Sequence, residues 1–82
     1  MAEEMEEDFL KTVGGNIKRI RKQRGWSLDK LAIGCGFEKS RLSKLEAGKC
    51  NVTLKTLFRL AVTLDVTAGQ FFNVMDEVRK DI

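Results

Sequence analysis

The chain has 82 residues, a formal net charge of +3, 43% hydrophobic and 33% charged residues. One small domain is expected, without a second, effector domain. No apolar run approaches the roughly 20 residues of a membrane span, and the acidic start MAEEMEED is the opposite of a signal peptide's basic beginning, so a cytoplasmic protein without membrane attachment is expected.

Residues 1–8 hold five acids and no base, and read as an acidic tail. Residues 11–59 hold thirteen Lys and Arg against Asp29, Glu38 and Glu46. An acidic tail on a basic body fits a nucleic-acid-binding protein, with a merely solvated basic surface as the plainer alternative. Glycine-broken helical periodicity runs throughout. A first helix is expected over about Phe9 to Arg24, with Leu10, Val13, Ile17 and Ile20 on one apolar face. Gly25 stands in a C-cap position. Ser27 offers an N-cap to a second helix, about Leu28 to Cys35, with Asp29 in its first turn and Leu31 and Ala32 inward. Gly36 then turns the chain in the left-handed conformation.

A third helix runs from about Lys39 to Ala47 and stops at Gly48. Leu42 and Leu45 are its only inward anchors, leaving Lys39, Ser40, Arg41, Ser43 and Lys44 outward. A compact frame presenting a short basic helix is what reading a DNA major groove requires. Thr53 caps a fourth helix over Leu54 to Leu64, with Leu57, Leu60, Ala61 and Leu64 inward. Thr67 caps a fifth, containing Phe71 and Phe72. Val74, Met75, Val78 and Ile82 extend an apolar stripe to the last residue. The expected architecture is all-α, five short helices.

The residue inventory argues against an enzyme. There is no His and no Tyr, and Cys35 and Cys50 form no CxxC pair, so no metal site is completed and no cofactor is expected. No nucleophile stands with its base, and no glycine loop has phosphate-cradling spacing. Cys35 reads as a small core residue. Cys50, beside Lys49, leaves a redox role open.

Taken in register, Gly14-x-x-Ile17 leading to Arg21, then GWSLDKLA, GFEKSRLSKLEAGK, NVTLKTLFRLAVTLDV and the final FF resemble the Cro/repressor-type helix-turn-helix family, also called the XRE type. The resemblance covers about residues 13–72. It implies that the third helix is the recognition helix, with Lys39, Ser40 and Lys44 at positions that commonly touch bases and Arg41 and Ser43 between them. It implies phosphate contacts from Ser27, Lys49 and Asn51, and a partly buried ion pair between Arg21 and Glu46. Two positions depart from the family pattern. Leu28 stands where many members place a phosphate-binding glutamine, and Asp65 where a glycine often follows the fourth helix.

The expected domain plan is an acidic tail (1–8), a helix-turn-helix domain (9–72) and a helical extension for dimerisation (73–82). The expected function is a sequence-specific transcriptional regulator, binding double-stranded DNA as a homodimer on a near-palindrome. Phe72, Val74, Met75, Val78 and Ile82 are the expected dimer interface. Three roles in this class stay open: restriction–modification controller, small phage repressor, and antitoxin with a protein partner. A module of the same fold that binds protein and reads no DNA is the alternative from another class.

Overall fold

Alanine, glutamate and methionine favour helix, and acids near a helix N-terminus oppose the positive end of its dipole. In the computed structural model, which describes residues 2–73, helix α1 accordingly spans Ala2–Gln23. Its first turn holds Glu3 and Glu4 and its last Arg21 and Lys22. The acidic residues expected as a tail before Phe9 are therefore the opening turns of this helix.

Three shorter helices follow: α2 (Leu28–Cys35), α3 (Lys39–Glu46) and α4 (Leu54–Leu64). The Ser27 Oγ accepts the Lys30 N–H at 3.0 Å and the Thr53 Oγ1 accepts the Thr56 N–H at 3.1 Å. Each such cap is worth about 1 kcal/mol. Between α2 and α3 Gly36 is left-handed, with φ 74°, and the Phe37 N–H closes the turn on the Ala32 carbonyl at 2.8 Å. Asp65 takes the left-handed conformation after α4, with φ 58°. Aspartate visits this region more readily than most side chains, so the residue replaces the family's glycine at modest cost.

The fifth helix is not present as an α-helix. Ala68–Phe72 is a 3-10 turn, so the described residues contain four α-helices and no strand. The segment AGQFF carries a helix-weakening glycine at its second position. Thr67 makes no capping bond through its side chain. A tight turn instead drives Phe71 into the core, where it is fully buried.

Phe71 joins Val13, Ile17, Ile20, Leu31, Leu42, Leu60 and Leu64 in one apolar cluster. Helix α1 packs on α3 and on the 3-10 turn, and α2 packs on α3 and α4. One polar side chain locks the 3-10 turn in place: the buried Asn16 Nδ2 donates to the Phe71 carbonyl at 2.8 Å. Phe72 is half-buried and stacks on Phe9 of the same chain, with ring centroids 5.8 Å apart. Val74, Met75, Val78 and Ile82, with most of the expected dimerisation segment, lie outside the described residues. Among the described residues no helix is long and apolar enough to cross a membrane.

Candidate nucleic-acid interface

An eight-residue helix is marginal on its own and depends on packing for its position. Helix α3 is anchored by Leu42 and Leu45, which are buried, and by a third inward residue, Glu46. Glu46 carries charge, which the apolar spacing of the helix did not register. Arg21 of α1 reaches it with both arms of its fork. Its Nε donates to Glu46 Oε2 at 2.7 Å and its Nη2 to Oε1 at 3.1 Å. The remaining Nη1 donates to the Trp26 carbonyl at 2.8 Å. Arg21 is 7% exposed and Glu46 8%, so the pair is buried, and each of the three guanidinium nitrogens donates a bond.

The α1 and α3 backbones also meet directly. A Cβ on Gly14 would lie 2.8 Å from the Glu46 carbonyl oxygen and closer still to that of Leu45. Hydrogen replaces methyl there so that the last turn of α3 can rest on α1. Sequence reading included Gly14 in a motif without seeing this role. It missed Asn16 altogether, and the available signal was a polar residue beside the inward Val13 and Ile17.

The opposite side of α3 faces water. Lys39, Ser40, Arg41, Ser43 and Lys44 are all exposed. Lys39 Nζ lies 3.3 Å from the Asp29 Oδ2 in an open ion pair. The Arg41 guanidinium sits over the Phe37 ring, 4.9 Å from its centroid. Ser27, Lys49 and Asn51 are exposed at the start of α2 and in the loop after α3. The capping bond uses an acceptor site on the Ser27 oxygen and leaves its O–H donor available to an anion. Leu28, standing where a phosphate-binding glutamine is common, is half-buried and packs against the core.

The surface thus offers lysine and arginine donors suited to guanine O6/N7 and to phosphate oxygens. Among the described residues no group of three or more His, Cys, Asp or Glu is placed to hold a metal ion. Burial pushes the Cys35 thiol up from its ordinary value, which keeps it in the unreactive protonated form.

A buried inner edge, a tight turn from α2 and a basic outer face on α3 define a helix-turn-helix DNA-binding domain. A family model described as helix-turn-helix matches residues 17–71, and the chain belongs to this family, the XRE-type transcriptional regulators; it is not an enzyme. It is 33% identical over 67 residues to the HTH-type transcriptional regulator SutR of Escherichia coli, covering 82% of this chain but 38% of SutR. It is 36% identical over 70 residues to the uncharacterized HTH-type transcriptional regulator y4dJ of Sinorhizobium fredii, covering 85% of this chain and 91% of that one. Among solved structures, the restriction–modification controller protein C.AhdI from Aeromonas hydrophila superposes with a TM-score of 0.75 at 30% identity, covering 77% of this chain and 96% of C.AhdI.

Proposed function

We propose that this regulator binds double-stranded DNA as a homodimer in the cytoplasm and reads a near-palindromic operator. The observation that carries the reading is the division of α3 into a buried edge and an exposed basic one. Lys39, Ser40, Arg41, Ser43 and Lys44 make the base contacts. Ser27, Lys49 and Asn51 hold the flanking phosphates. One eight-residue helix reads too few base pairs to be selective, and a two-fold pair of them reads two half-sites one helical turn apart. Val74, Met75, Val78 and Ile82 form the dimer contact. Phe72 contributes the part of its ring that Phe9 leaves uncovered.

A more specific role as a controller that binds its own promoter is supported by the superposition on nearly all of C.AhdI. In-vitro selection of bound DNA from a random pool tests both levels. Two inverted half-sites about 10 base pairs apart are expected, with a match in the promoter of the chain's own gene for the controller role. Recovery of unrelated sequences would overturn base readout by α3.

A further inference from the structure

Helix α4 carries a second apolar face that the core does not use. Leu54, Phe58 and Val62 recur every four residues and are 82%, 67% and 62% exposed. Ile33, on the neighbouring α2, is 82% exposed. Between the two helices lies an open cavity of about 270 Å³ lined by Gly34, Cys35, Phe58, Arg59, Val62 and Thr63. Single exposed apolar side chains are ordinary, but a row of three on one helix, beside an open cavity and a further one on the adjoining helix, is the kind of surface that a partner covers. Its rim is basic. Lys55 and Arg59 are exposed on α4, which carries no acid, and Lys30 lies over the Trp26 ring on α2.

The chain also carries the complementary surface. Residues 2–9 of α1 present Glu3, Glu4, Glu6, Glu7 and Asp8 with no base. Met5 is 71% exposed and Phe9, four residues on, 39%. All of residues 2–9 are exposed, and the first buried position is Val13. These turns cannot cover the groove of their own chain. They belong to one continuous helix through Gln23 that packs on α3 and the 3-10 turn, whereas the groove lies on α2 and α4.

We propose that the α2–α4 groove receives the acidic opening turns of α1 from a second copy of this chain. Met5 and the exposed edge of Phe9 seat on Leu54, Phe58 and Val62, and the flanking acids meet Lys30, Lys55 and Arg59. The pairing joins two unlike surfaces, either reciprocally between two copies or head to tail along a chain of them, at a place distinct from any interface built by the C-terminal residues. It leaves the outer side of α3 uncovered and does not depend on DNA readout.

Charge exchange on the full chain tests it, read by sedimentation velocity at low and high salt. Glu4→Lys with Asp8→Lys reverses the helix, and Lys55→Glu with Arg59→Glu reverses the groove. All four positions are exposed, and circular dichroism checks that each variant is folded. Any dimerisation through the C-terminal segment is untouched by these substitutions and sets a common baseline. Wild-type association above that baseline is expected to weaken with salt, and each reversed chain alone to lose it by roughly tenfold or more. A one-to-one mixture of the two should regain it, since each then offers its partner a matched helix or groove. Phe58→Glu should abolish it without rescue. The proposal is overturned by wild-type association that ignores salt, by no association above the baseline, or by a mixture as weak as its separate components.

Discussion

The inner edge of α3 holds Leu42, Leu45 and Glu46 beneath side chains from the rest of the domain, while its outer edge leaves Lys39, Ser40, Arg41, Ser43 and Lys44 in water. The two edges belong to the same eight residues and answer to different physics. On the inner edge each atom is fixed by close packing or by a buried charge that must stay paired. On the outer edge the side chains stay exposed, with only an open ion pair at Lys39 and a ring contact at Arg41 to hold them, and on the proposed readout they lose most of their rotamer freedom on meeting DNA. On that readout the helix is thereby aimed by its fixed side and reads DNA with its adaptable one. Substitutions on the two sides should separate cleanly into losses of stability and losses of affinity.

The largest expected effect lies at the ion pair. Arg21→Ala strands the Glu46 carboxylate in the core, and Glu46→Ala strands the guanidinium. Each should cost about 3–5 kcal/mol in chemical denaturation. The double variant should cost clearly less than the two single losses together, because it leaves no charge behind. Strict additivity would mean that the pair does not fix α3.

The backbone contact beside it gives a test of opposite signs on adjacent residues. Gly14→Ala forces a methyl against the Leu45 and Glu46 carbonyl oxygens, and overpacking of this kind costs about 1–3 kcal/mol. It should also displace the end of α3 and weaken DNA binding. Gly15→Ala meets nothing within 4 Å and should stabilise the helix by about 0.5–1 kcal/mol. Thermal melts of the two variants read both signs. Equal effects would show that α1 and α3 are not in backbone contact.

On the outer edge the order reverses. Arg41→Ala and Lys44→Ala should each leave stability within about 0.5 kcal/mol. On the preferred site each should cost roughly 1–3 kcal/mol of affinity and flatten preference at one or two bases. Lys49→Ala should weaken cognate and random DNA alike. It should also make the log-affinity against log-salt slope, expected near −5 to −9 for a dimer neutralising roughly 6–10 phosphates, shallower. Competition binding at several salt concentrations separates the two classes. Loss of selectivity at Lys49, or none at Arg41 and Lys44, would invert the assignment.

The middle of the chain was legible because its signals are local. Ser27, Gly36 and Thr53 act within four residues of themselves, and the apolar spacing of α4 alone picks out Leu57, Leu60, Ala61 and Leu64. The extension of α1 to Ala2 was hidden because five acids read as a solvated tail by composition, although they suit a helix N-terminus by electrostatics. The 3-10 turn was hidden because Phe71 is placed by the core and by Asn16, a bond across 55 residues that no local pattern records. The close approach at Gly14 belongs to the same kind, since which atoms a missing methyl spares is decided by a helix more than 25 residues away. The outer face of α3 could be named from the resemblance, but not the intramolecular partners that Lys39 and Arg41 already hold.

Those partners set the smallest expected effect. Asp29 stands in the first turn of α2, where its charge suits the helix dipole, and also holds Lys39 at 3.3 Å. Both side chains are more than half exposed, so the pair itself contributes at most a few tenths of a kcal/mol or so to stability. On the proposed readout the same carboxylate would compete with DNA for Lys39 and repel nearby phosphates. Asp29→Asn keeps a polar side chain of similar size, removes that competition and forgoes a dipole interaction worth about 0.3–1 kcal/mol. The melting temperature should therefore fall slightly while affinity for the operator rises by about two- to fivefold, the gain shrinking as salt is added. In a Lys39→Ala background the part of the gain due to released lysine should vanish and only the part due to lost repulsion remain. If Asp29→Asn weakened binding instead, Asp29 would be holding Lys39 in the orientation that DNA requires, and the open ion pair would belong to the fixed side of the recognition helix.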